Sequence, residues 1–220
     1  MKFKKYEDKG TYHWEDYEKN SHYREKTDKI VELVGEGKKV LDAGCGDGLI
    51  TDKIGKNNYV VGIDNSKEAI KLAKQKCSNV DKLKEDNALD LSFKDNTFDV
   101  VVLADVIEHI KQEQELLKEM HRVTKKNGEI IITTPLKRKD SLLWDPNNHV
   151  KEYSTDDLEK SVSNYYNIID IELIETKGIK DLVRWIGGEV FGFLSKRILP
   201  LKIYRKLGKF KTILLKGKKK

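Results

Sequence analysis

The segment Val40-Leu-Asp-Ala-Gly-Cys-Gly-Asp-Gly48 constrains this chain more than any other. A short apolar run ends in glycines at 44, 46 and 48, and a helical pattern from Leu49 to Gly55 follows. Strand, glycine turn and helix in that order open a doubly wound α/β sheet. Backbone without Cβ atoms there approaches a ligand closely, at the carboxyl end of the strand. Position 49 is Leu, so the dinucleotide spacing G-x-G-x-x-G is not met. The loop has an acidic partner in Asp64, which follows the second apolar run, Tyr59-Val-Val-Gly-Ile63. A carboxylate at that place accepts hydrogen bonds from both hydroxyls of a ribose.

The rest of the chain repeats the alternation. His13 to Val34 reads as one helix, ended by Gly35 and Gly37. Ser66 is a good N-cap for a helix to Cys77. Val80 to Lys84 reads as a short strand. Phe98-Asp-Val-Val-Val-Leu103 is the β-branched run of a central parallel strand buried on both faces. Gln112 to Lys126 reads as a helix stopped by Asn127-Gly128, and Glu129 to Thr134 as a strand stopped by Pro135. A long loop, Leu136 to Glu152, precedes a helix at Thr155–Val162 and strands at Tyr166–Glu175 and Thr212–Leu215. Strands alternating with helices predict an α/β domain with a mostly parallel sheet.

With these motifs in order, the chain resembles the class I S-adenosylmethionine-dependent methyltransferases, and among them the ubiquinone- and menaquinone-biosynthesis type. Asp42 to Gly48 resembles the first motif of that family, Gly62-Ile-Asp-Asn65 the second, Asp86 to Val100 the adenine-binding segment, and Asp105-Val-Ile-Glu-His109 the motif after the fourth strand. The resemblance covers roughly residues 20 to 175. It implies a Rossmann-like three-layer αβα sandwich with a seven-stranded, mostly parallel sheet and an antiparallel last strand. It implies S-adenosyl-L-methionine as cofactor, with Gly44, Cys45 and Gly46 at the loop, Asp64 and Asn65 at the ribose, and Asp42 near the methionine amino group. Asp86, Asn87 and Ala88 fall at the adenine, and Ala104 at the end of the fourth strand. Asn87 stands where relatives carry Asp, and Arg24 where ubiquinone-type enzymes hold the cofactor carboxylate.

Methyl transfer requires in-line alignment of donor and acceptor, and a base where the acceptor is a hydroxyl. His109, beyond the fourth strand, is the candidate base, and a histidine that only fixes the loop is the alternative. Asp105, Glu108 and His109 fall at i, i+3 and i+4, which share one face of a helical turn. With His149 as a second candidate catalytic group and fourth ligand, they form a candidate site for Mg2+ or another divalent cation. Such an ion would lower the pKa of an acceptor hydroxyl. By resemblance, an acidic-x-x-Glu-His cluster binds metal in ubiquinone-type enzymes and in small-RNA 3′-end methyltransferases, although the first position here is the shorter Asp. Cys45 and Cys77 are too few for a disulfide framework, and Cys45 is expected to pack within the loop.

Charge divides the chain. From Lys177 to Lys220 there are 14 Lys and Arg against Asp181 and Glu189, a net of +12, so of the overall +6 the first 176 residues carry −6. Between the last two strands, residues 177–211 mix Lys and Arg with Trp185, Phe191, Phe193, Leu194, Ile198 and Leu199. Basic residues around an apolar face suit a membrane-surface helix, and packing of that face as a lid or dimer contact is the alternative. We therefore expect one domain over 1–220, with a helical N-terminal segment (1–37), a cofactor-binding core (38–176), the basic insertion and a last strand (212–216). The expected reaction is O-methylation of a small hydrophobic or lipid-linked acceptor. Methylation of an RNA 3′-terminal ribose and non-catalytic cofactor binding are the other readings. The N-terminus has no secretory apolar stretch, and no apolar run approaches the roughly 20 residues that span a bilayer. This predicts a cytoplasmic protein in peripheral contact with an anionic membrane.

Overall fold

The computed structural model describes residues 5–137, 149–175 and 211–220. Three N-terminal helices, α1 (Lys5–Lys9), α2 (Tyr12–Lys19) and α3 (Ser21–Val34), lead into β1 (Lys39–Ala43). There follow α4 (Leu49–Gly55), β2 (Tyr59–Asp64), α5 (Lys67–Lys76), β3 (Lys82–Glu85) and β4 (Phe98–Ala104). A 3-10 turn at Ile107–His109, α6 (Glu113–Val123), β5 (Thr124–Pro135), α7 (Thr155–Val162), β6 (Tyr166–Glu175) and β7 (Lys211–Lys219) complete the described elements.

The seven strands form one sheet in the order β3-β2-β1-β4-β5-β7-β6. Neighbours from β3 to β5 are parallel, and β7 runs antiparallel between β5 and β6. The expected seven-stranded sheet with an antiparallel last strand is therefore present. Both faces of the central strands are covered. Val40, Val60, Val100 and Val102 pack with Ile30 and Val34 of α3 and Ile50 and Ile54 of α4. On the other face Leu41, Val101 and Leu103 pack with Leu116, Leu117 and Met120 of α6 and Leu158 and Val162 of α7. Helices on two faces of one sheet make the three layers.

Two expectations are corrected. The helix read from His13 to Val34 is two helices. Asn20 has an extended backbone, and its side chain accepts from the amides of His22 and Tyr23 as N-cap of α3. The helix read to Lys126 ends at Val123, and Asn127-Gly128 lies within β5 instead of capping a helix. Asn127 is left-handed (φ 61°) and the β4–β5 register shifts between Phe98 and Val100, so the dipeptide marks an irregularity in the strand. The last strand also reaches Lys219, beyond the expected 216. The aromatic and basic residues read in the insertion, from Trp185 to Tyr204, lie outside the described residues. Among the described residues, no helix is long and apolar enough to cross a membrane.

Candidate active site

The parallel strands β1, β2 and β4 all end at the same edge of the sheet, the place where open α/β sheets bind ligands. The glycine loop between β1 and α4 is shaped for close approach. Gly44, Gly46 and Gly48 have φ of 85°, 56° and 84°. A Cβ on Gly44 would overlap the Val106 side chain, and one on Gly46 the Tyr6 hydroxyl. The loop is tied to the second strand. The amides of Gly44 and Cys45 both donate to the Ile63 carbonyl at 2.8 Å, and the Gly46 amide donates to Asp64 Oδ2 at 2.9 Å. Asp64 Oδ1 accepts from the Ser66 amide at 2.8 Å. Burial raises the Asp64 pKa, and these amide bonds pull against it. Asn65 is exposed beside it.

Asp42 is buried and accepts from the Thr51 hydroxyl at 2.6 Å. Cys45 is buried with its sulfur facing the Gly46 carbonyl, as expected of a packing residue. At the end of β3, Asp86 accepts from Lys84 Nζ (2.8 Å), the Ser92 hydroxyl (2.9 Å) and the Asn87 amide (3.0 Å). Those bonds hold its carboxyl below the usual range against the effect of burial. Exposed Asn87 accepts from the Leu89 amide at 3.0 Å through its side-chain carbonyl, which keeps a second lone pair. Ala88 is half-buried and packs on the core, and Ala104 packs at the end of β4 beside Thr133.

Arg24 is not directed as the resemblance implied. Its guanidinium donates to the carbonyls of Tyr17 (2.9 Å) and Glu18, fastening the end of α2 to α3. The cation at the reaction edge is Lys26, 4% exposed, which pairs with Asp105 and lies 4.4 Å from the centre of the Tyr23 ring. Asp105 follows β4 with a left-handed backbone (φ 55°) and also accepts from the Thr133 hydroxyl at 2.9 Å. Burial opposes its ionisation, but Lys26 and Thr133 together hold its pKa down.

Asp105 is thereby drawn away from the cluster in which it was expected. The group that comes together is Glu108, His109 and His149, whose candidate ligand atoms lie within 4.8 Å of one another. The helical-turn argument failed at its first position because residues 107–109 form a 3-10 turn that Asp105 precedes. Glu108 is 1% exposed, and Oε2 accepts from the Thr134 hydroxyl at 3.0 Å. Its other oxygen, Oε1, is buried without a hydrogen-bond partner. Burial first and the Asp105 charge second push its pKa up to about 8. The His109 and His149 ring centres are 5.1 Å apart. His149 is brought there because the amides of Val150 and Lys151 donate to the Glu108 carbonyl, and Lys151 and Tyr153 bind Glu113.

The sequence reading missed the residues that lie over the glycine loop. Asp47 is fully buried and receives the His13 amide and the His13 ring, both at 3.0 Å, while Trp14 donates to its carbonyl at 3.1 Å. Tyr6, Tyr12, His13 and Tyr23 form a chain of ring contacts beside it. The available signal was the concentration of four of the nine tyrosines in residues 6–23, a segment with little apolar content to justify them as core.

Residues 41–132 match the model of a methyltransferase domain. A curated relative, the demethylmenaquinone methyltransferase of Bacillus cereus, is 32% identical over 123 residues, 52% of each chain. The chain thus spans about half the length of the curated relatives it matches. The N-methyltransferase NodS of Bradyrhizobium japonicum, solved with S-adenosylhomocysteine, superposes with a TM-score of 0.64 at 14% identity, covering 92% of this chain and 90% of that one. The [4+2]-cyclase SpnF superposes with a TM-score of 0.68 at 20% identity, covering 90% and 80%. These two likenesses show the fold, and a cyclase among them illustrates that the fold does not fix the reaction.

Proposed function

Because residues 41–132 of this chain belong to the methyltransferase-domain family, we propose that the protein is a class I S-adenosylmethionine-dependent methyltransferase that acts on a hydroxyl of a small hydrophobic or lipid-linked acceptor. The observation that carries the cofactor reading is the union of a cradle that Cβ atoms would fill, at Gly44 and Gly46, with the carboxylate of Asp64 bonded to the Gly46 amide. The residues fit the group. Asp64 would receive the ribose hydroxyls, Asp42 lies behind the loop toward the amino group, and Asn87 keeps an acceptor for the adenine amine.

S-adenosylmethionine supplies a methyl group already activated by its sulfonium charge. The chain must orient the acceptor, exclude water and take up a proton. His109 is the base in this reading, supported by its place beyond β4 and beside His149. The finer reading adds a divalent cation held by Glu108, His109 and His149. Its support is the buried, unpartnered Glu108 Oε1 within reach of two imidazoles. Such an ion would acidify the acceptor hydroxyl. The demethylmenaquinone methyltransferases are named for a quinone-type acceptor. An apolar, ring-bearing acceptor is in keeping with that likeness and with the apolar, basic composition of residues 177–211.

The test is transfer of a labelled methyl group to a panel of phenolic, lipid-linked and RNA acceptors, with and without chelator. Turnover of a hydrophobic phenol, lost in His109→Ala, is expected. Transfer confined to RNA or to amines would overturn the acceptor assignment. Full activity in chelator, unchanged by Glu108→Gln, would remove the cation.

A further inference from the structure

The N-terminal ring cluster stands in an unusual electrostatic setting. Tyr6 and Tyr12 have ring centres 5.7 Å apart and share a hydrogen bond between their hydroxyls. Tyr12 continues to His13 at 3.9 Å, and His13 stacks on Tyr23 at 5.6 Å and 6°. The cluster lies on the glycine loop, since the Tyr6 ring carbon bearing the hydroxyl is 3.1 Å from where a Cβ on Gly46 would stand. Carboxylates face it from three strand ends or loops. Asp64 and Asp47 act on Tyr6, and Asp105 acts on Tyr12 and Tyr23. Burial and these negative charges together keep the phenols protonated.

Aromatic faces carry negative quadrupole charge and attract cations, most strongly where water is excluded. One ring of the cluster already does so, with the Lys26 ammonium 4.4 Å from the Tyr23 centroid. Half-buried to buried aromatic rings together with carboxylates form a chamber suited to a soft organic cation and poorly suited to a neutral group of the same shape.

We propose that the Tyr6–Tyr12 wall over Gly46 recognises the positive charge of the methyl donor and distinguishes the sulfonium from the neutral thioether left after transfer. The inference rests on the cofactor reading above. It assigns the two tyrosines as specificity residues that favour loading of the charged donor and release of the spent one. No bond is made or broken by them.

The experiment is calorimetric titration of the full chain with three ligands: S-adenosylmethionine, S-adenosylhomocysteine, and an analogue with an ammonium in place of the sulfonium. Wild type is compared with Tyr12→Phe, Tyr12→Leu and Tyr6→Leu. Tyr12→Phe keeps the ring and should keep the wild-type ratio of affinities. Each Leu variant should weaken both cationic ligands by about five- to tenfold and leave S-adenosylhomocysteine within about twofold, which also reports that the site is folded. Equal weakening of all three ligands in both Leu variants would overturn the proposal while leaving the methyltransferase reading intact. Failure of wild type to bind S-adenosylhomocysteine would overturn the cofactor reading, and this inference with it.

Discussion

Asp42 is 1% exposed, and its carboxyl is pushed up to about 6, by burial foremost, with the Thr51 hydroxyl acting the other way. A carboxyl held above its unfolded value favours the fold while it is protonated. That contribution is complete below the unfolded value of 3.8 and is lost as pH rises through about 6. Asp42→Asn keeps an acceptor for Thr51 and removes the charge. We expect it to be more stable than wild type at pH 8 by on the order of 2 kcal/mol, the gap closing toward pH 4. Denaturant unfolding at the two pH values checks this, and an equal gap at both would contradict it. A buried anion retained at such a cost is in keeping with a cationic amino group as its partner. Asn there should therefore weaken cofactor binding while strengthening the fold.

At the scale of elements, the contact that sets the site is between the β1–α4 loop and the residues that follow β4. Gly44 is left-handed, and a Cβ there would overlap Val106. Gly44→Ala combines backbone strain with that overlap and should destabilise by about 2–3 kcal/mol. Val106→Ala in the same chain should recover the steric part and leave the backbone part. A Gly44→Ala chain with wild-type melting would contradict the close approach. This loop was legible in the sequence because glycine spacing and the apolar runs before it are local signals. Ser66 and the helix at Thr155–Val162 were legible for the same reason. Asn127-Gly128 misled because a helix stop and a strand irregularity use the same residues, and only the pairing of Lys219 Nζ and Phe98 with Thr124 decides for the strand. Arg24 and Lys26 were exchanged in role because two residues on a helix differ by about 200° in direction, and the resemblance places a residue more coarsely than that. Asp47, Tyr6 and Tyr12 could not be read, since their meaning depends on α1 and α2 folding back over the glycine loop, a contact between distant parts of the chain.

For the whole molecule, charge and ligand linkage make the predictions. The last ten residues carry five lysines and no acid, continuing the basic character of the insertion. If residues 177–211 bring the protein to an anionic surface, flotation with vesicles rich in anionic lipid should recover it at 0.05 M salt. It should release the protein near 1 M, where the screening length falls to about 3 Å. Flotation unchanged by salt, or absent at low salt, would contradict that reading. Ligand binding to the folded chain alone should also raise its melting temperature in proportion to the logarithm of ligand concentration.

The most direct measurement is calorimetric titration of wild type and Asp64→Ala with S-adenosylmethionine. The account predicts saturable one-to-one binding to wild type and a loss of at least about tenfold in the variant, since a charged acceptor of two hydroxyl bonds is removed. Binding equal in the two chains, or absent from wild type, would contradict the assignment of the glycine loop and Asp64 as the cofactor site.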